Sequence, residues 1–154
     1  MGIKNKQSGF TIVELLIVIV VIGILAAIVI VAFNGIQNRA VETAIKSDLA
    51  NAAKKMRMYH ADNDAWPANN DTVLSSLEIG ASRNQYTTDT NNFLYCGSAG
   101  TSNYVIIARG KNNVTYAQGS DRAFGPYTGN INDYTNSCTS LNGSSSARYG
   151  YTTT

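Results

Sequence analysis

The sequence predicts an α+β fold: a long N-terminal α-helix, its first half transmembrane, packed through its second half on a small antiparallel β-sheet. Three observations carry this. From Leu15 to Phe33, nineteen residues run without a charged or strongly polar side chain. Val41, Ile45, Leu49, Ala52, Met56 and Tyr59 then recur at three- and four-residue intervals, one stripe of an amphipathic helix. Further on, Tyr104, Ile106 and Ala108 alternate with Val105, Ile107 and Arg109, the period of a strand with one face on the helix.

The 154 residues leave room for one globular domain and a membrane segment. A net charge of +2 with 14% charged residues makes no large basic or acidic field, so composition gives no reason to expect a polyanion partner. The second half is rich in Asn, Ser, Thr, Gly and Tyr, which suits an exposed extracytoplasmic domain. Cys96 and Cys138 both fall there, without C-x-x-C spacing or the company a zinc site needs.

The apolar run is close to the ~30 Å of a bilayer core at about 1.5 Å per helical residue. Lys4, Lys6 and the amino terminus place the leading end in the cytoplasm and the remainder outside, where cysteines can oxidise. Glu14 stands near the start of this segment. An ionised side chain in a membrane helix costs roughly 2.5–3.5 kcal/mol on insertion scales, so its presence points to a use. Three readings compete: a permanent signal anchor; a secretory signal cut near Ala26-Ala27 or Ala32; and a cut between Gly9 and Phe10 that leaves the apolar helix on the mature chain. The second fits poorly, because ordinary signal cores run only about 7–15 residues.

The stretch KQSGFTIVELLIVIVVIGILAAI resembles the class III leader of type IV pilins and of the pseudopilins of type II secretion systems. The resemblance implies that a prepilin peptidase cuts after Gly9 and that Phe10 becomes the N-methylated first residue. Cleavage then creates an amine four residues before Glu14, on one face of the helix. In a helical bundle Glu14 of one subunit would neutralise the amine of a neighbour, and the cost of an unpaired buried charge would select the correct axial stagger. The run MRMYHADNDAWP resembles the family's helix end: a tyrosine, an acidic turn and an aromatic-proline pair. One departure stands out. Val31 occupies a position where many type IV pilins carry a helix-breaking proline, and only Gly23, Asn34 and Gly35 interrupt the helix pattern before Pro67.

The expected organisation is a cleaved leader (1–9), a transmembrane and assembly helix (10–33), its amphipathic continuation (34–61) and an extracytoplasmic sheet domain (62–154). The helix is expected to run from about Thr11 to about His60 and to end at His60–Asp64, because Asp and Asn favour turns and Pro67 disfavours helix before it. Asp71–Leu77 reads as a short capped helix or turn. Strands are expected over Asn92–Ser98, Asn103–Arg109 and Val114–Gln118, with a hairpin at Gly110–Asn113. Cys96 lies in the first strand and Cys138 in a loop-rich tail; with the family resemblance, they are expected to pair in a disulfide bounding a surface segment, against the alternative of two buried thiols.

No enzyme is expected. His60, the only histidine, reads as a solvated helix terminus. Asp62-Asn63-Asp64 fails the calcium-loop pattern, since Pro67 falls where glycine is needed and Val73 where glutamate is. The resemblance to pseudopilins, some of which bind calcium in C-terminal loops, makes Asp121 and Asp133 calcium candidates, but they read better as solvated loop carboxylates. No phosphate-binding glycine loop and no serine or cysteine nucleophile motif is present, so no cofactor and no metal is expected. The sequons at Asn70, Asn113 and Asn142 are what chance gives in a chain so rich in Asn, Ser and Thr. Arg83, Arg109, Lys111, Arg122 and Arg148 are scattered, which leaves nucleic-acid binding open. The resemblance implies a structural subunit of a type IV pilus, serving adhesion, twitching motility or DNA uptake. Its partners would be further copies of itself and minor pilins, the prepilin peptidase, and an inner-membrane assembly platform with its ATPase. Its location would be the cytoplasmic membrane as precursor and an extracellular filament once assembled. The alternatives are a pseudopilin of a type II secretion system and a membrane-anchored module that never polymerises.

Overall fold

The computed structural model describes residues 9–68, 77–88, 92–97 and 102–142. The chain divides into two compact units, Met1–Gln37 and Asn38–Thr154. Helix α1, Ile12–Asn63, contributes to both, and it continues through Gly23, Asn34 and Gly35 without a break. In the first unit it is long and apolar enough to cross a membrane.

In the second unit α1 lies on one face of a four-stranded antiparallel sheet: β1 (Phe93–Cys96), β2 (Val105–Arg109), β3 (Thr115–Gly119) and β4 (Gly125–Tyr127), in the order β1-β2-β3-β4. Val41, Ile45, Leu49, Ala52, Ala53 and Met56 meet Tyr104, Ile106 and Ala108 there, so the expected stripe and the expected alternation face each other. The strands start and end within two residues of their expected limits, β2 ending at Arg109 as expected, and Ser98 lies outside the described residues. The Asp71–Leu77 segment lies outside them too, apart from Leu77 in a turn. The β2–β3 hairpin turns at Gly110–Val114, with Asn113 in the left-handed region at φ 60°. Gly110 packs closely here: a Cβ would come within 2.8 Å of the Ile45 and Val41 methyls, which would have to give way.

The other face of the sheet is also covered, which alternation alone did not reveal. Leu94, Cys96, Val105, Ile107 and Ala117 pack with Ile131 and Cys138 in a second core. Cys138 therefore does not sit in a loop. It belongs to α2, Tyr134–Asn142, whose first turn Asp133 caps through Oδ1 and the Asn136 N–H (3.3 Å). A polar, serine- and asparagine-rich segment hid this short helix; Cys138 and the partly buried Leu141 pack it on the sheet.

α1 ends where Asp64 turns into the left-handed region at φ 52°, with the Asn63 amide donating to the Tyr59 carbonyl (2.9 Å). His60 does more than sit in solvent: its ring packs on Trp66 (centroids 4.1 Å apart), which packs in turn on Tyr104 (4.6 Å). The Tyr95 hydroxyl donates to the Pro67 carbonyl (3.0 Å), fixing the chain as it leaves the helix.

One buried carboxylate interrupts the apolar stripe. Asp48 is 7% exposed and accepts hydrogen bonds from the Ser82 N–H (2.7 Å), the Ser82 hydroxyl (3.2 Å) and the Tyr86 hydroxyl (2.9 Å). Seven residues on, Lys55 donates to the carbonyls of Leu77 (2.7 Å) and Glu78. These two side chains staple the segment returning from the helix back onto it. Asp48→Ala leaves the Ser82 N–H and the Tyr86 hydroxyl without their acceptor and is expected to cost about 2–4 kcal/mol, with Asp48→Asn costing less. Thermal melts of the two variants in detergent check the order.

Burial, with the Asp48 charge next in importance, pushes the Tyr86 phenol well above its ordinary value. Burial does the same for Tyr95 and Tyr104. Their stabilising contribution is complete below about pH 10, where the unfolded phenols keep their protons. Above it the unfolded chain releases protons that the folded chain holds, so stability falls with rising pH by about 1.4 kcal/mol per unit for each such tyrosine. Denaturant titrations between neutral pH and pH 11 should show this loss, and Tyr86→Phe should lessen the slope.

Candidate functional site

At the N-terminal end of α1, Thr11 and Glu14 form a reciprocal capping box. The Thr11 N–H and hydroxyl donate to Glu14 Oε2 (2.9 and 2.8 Å), and the Glu14 N–H donates back to the Thr11 hydroxyl (3.2 Å). The T-x-x-E spacing at residues 11–14 was legible as a helix start, yet the carboxylate drew attention first as a charge in an apolar segment. Both donors use one oxygen, and a carboxylate can accept further bonds on the other. Glu14 is thus held in place by Thr11 and remains able to take a second, cationic partner. Phe10 and Gly9 precede the helix, both exposed.

The surface following this site has no cover within the chain. Each large apolar side chain from Phe10 to Ile36 exposes between 48% and 86% of its area, among the described residues. A contiguous apolar surface of this length needs lipid or other helices around it.

The second sequence-derived pair, Cys96 and Cys138, is brought together. The two form a disulfide with Cα atoms 5.2 Å apart across a separation of 42 residues, and both are fully buried. The bond ties α2 to β1. The other candidate positions are not assembled into a site. Asp121 accepts a long bond from the Asn103 amide (3.4 Å), and Asp133 serves as the α2 cap. Among the described residues no group of three or more His, Cys, Asp or Glu side chains is placed to hold a metal. Asp48, Ser82 and Tyr86 are the polar cluster that the sequence reading passed over; its signal was a carboxylate on the buried stripe, three residues after Ile45.

The capped N-terminus coincides with a match to a known family model. Residues 4–30 match the model described as the prokaryotic N-terminal methylation motif. The chain carries that methylation motif. Its relatives are type II secretion core proteins and type IV pilus subunits. Over 65 residues it is 38% identical to the type II secretion system core protein G of Pseudomonas aeruginosa, covering 42% of this chain and 46% of that protein. Over 71 residues it is 38% identical to the type IV wide pilus major component PilA4 of Thermus thermophilus, covering 46% and 54%. It is 41% identical over 69 residues to the fimbrial protein EcpC of Eikenella corrodens, covering 44% of each. The chain thus spans about half the length of the curated relatives it matches. The motif accounts for residues 4–30.

Proposed function

We propose that this chain is the structural subunit of a type IV pilus. It would be inserted in the inner membrane with its N-terminus in the cytoplasm, cut by a prepilin peptidase between Gly9 and Phe10, N-methylated at Phe10 and polymerised by a membrane platform and its ATPase. The observation that carries this is the Thr11–Glu14 capping box at the head of an uncovered apolar helix, within the methylation motif. The helices of many copies would cover each other's apolar surface, and Glu14 would pair with the Phe10 amine of a neighbour. The role is structural, not catalytic.

A second reading, a type II secretion pseudopilin, draws support from the core protein G relatives. The disulfide favours the pilus, because major pseudopilins commonly lack one in this region. Deleting the gene and shearing the cell surface separates the two. Loss of sheared filaments with unchanged protein secretion supports the pilus; loss of secretion with filaments intact supports the secretion system.

A further inference from the structure

Beyond Ile107 and Ala117 the next row of the sheet's outer face, buried at Thr115 and half-buried at Arg109 and Tyr127, forms the floor of a groove. There the register sets Arg109 opposite Thr115 and Thr115 opposite Tyr127, on the same face as Ile107 and Ala117. The hairpin residues Asn113 and Val114 rise on one side of this row and the Thr128–Asn132 loop on the other. Together they border an open groove of about 590 Å³. That lies within the roughly 300–1,000 Å³ of small-molecule sites.

The groove is built rather than incidental. Tyr127 is half-buried against the second core, and its phenol end lies over Gly129, where a Cβ would displace it. The loop wall is held to α2 by the Ser137 hydroxyl donating to the Asn130 carbonyl (2.8 Å), and is shaped by the Asn132 N–H donating to Asn130 Oδ1 (3.0 Å).

The lining chemistry narrows the ligand. It offers amides, hydroxyls, a phenol and one guanidinium, with no carboxylate, thiol or imidazole. Cations therefore find no ligand set, and a single guanidinium is no track for a polyanion. A peptide adding to the sheet edge is refused at β4: Pro126 has no N–H to give, and its carbonyl accepts from Arg122 (3.5 Å). What fits is a ligand dense in hydroxyls with apolar C–H faces. Amides meet hydroxyls as both donors and acceptors, and Tyr127, Val114 and Pro126 supply surface for the C–H faces.

We propose that this groove on the outer sheet face, between the β2–β3 hairpin and the Thr128–Asn132 loop, binds a saccharide. The assignment stands apart from filament assembly, since it uses no residue of the first unit. The test is a glycan array carrying neutral hexoses, N-acetylhexosamines and uronic acids, probed with the full chain in detergent micelles, followed by titration of the strongest glycan. Thr128→Trp, at an exposed rim position, fills the groove and should abolish binding. Asn132→Ala, removing one or two hydrogen bonds, should weaken it about five- to tenfold. No saccharide bound, or undiminished binding by a folded Thr128→Trp chain, overturns the proposal. If Thr128→Trp melts below the parent, Asn132→Ala decides: unchanged affinity there overturns it as well.

Discussion

Replacing Glu14 with glutamine leaves the chain in the membrane and reduces its recovery in sheared filaments at least as far as Glu14→Ala does, by about tenfold or more. The expectation follows from separating the two roles that the carboxylate can play. As a cap it accepts from Thr11, and glutamine can do the same; losing a cap costs only about 1 kcal/mol of helix stability. As a charge it would neutralise the Phe10 amine of a neighbouring copy, which glutamine cannot do. An unpaired buried charge costs several kcal/mol, enough to decide assembly. Thr11→Ala removes the capping hydroxyl but keeps the charge, and should assemble within a few-fold of the parent. Filament yields measured by quantitative immunoblot of sheared fractions, normalised to membrane-inserted precursor, give the comparison. Full assembly by Glu14→Gln would mean that capping, not charge, is the function of this residue.

The second large effect is at the disulfide. Changing Cys96 and Cys138 together to alanine is expected to cost the second unit about 4 kcal/mol, the chain-entropy value for a loop of this length. At that size the melting temperature falls by roughly 10–20 °C. The structure adds a local consequence. α2 is tethered to the sheet by this bond, by Ile131 and by Leu141, so its release uncovers Leu94, Val105 and Ile107. Melting curves of the double variant and of the reduced parent should agree with each other and lie below that of the oxidised parent. A shift of only a degree or two would show that side-chain packing alone holds α2 in place. Because the bond is remote from Glu14 in sequence, chains that fold below the lowered melting temperature should still be processed at the N-terminus.

The long helix and its partner face were legible because both follow simple periods. The stripe from Val41 to Met56 and the alternation from Tyr104 to Ala108 are two halves of one core. The hairpin at Gly110–Asn113 was legible from turn chemistry. The outer core was not, since its cover comes from a segment with no apolar period: Ile131, Cys138 and Leu141 are separated by polar residues. β4 was missed because three residues containing a proline carry no strand signal. Asp48 was passed over because a carboxylate within an apolar stripe reads as solvent-facing until its donors, Ser82 and Tyr86, arrive from thirty-odd positions further along the chain. At the N-terminus the residues of the candidate site are contiguous, so the sequence displayed them all. The cap geometry alone needed coordinates, although its spacing was in view.

The central proposal is that Gly9 and Phe10 mark a processing junction and that the helix beginning there becomes the core of a filament. Mass spectrometry of the N-terminal peptide from sheared, washed filaments tests it most directly. The predicted result is a subunit that begins at Phe10 and carries one methyl group on its amine. Filaments built of this chain with residues 1–9 retained, or with an N-terminus created beyond the apolar segment, would contradict it.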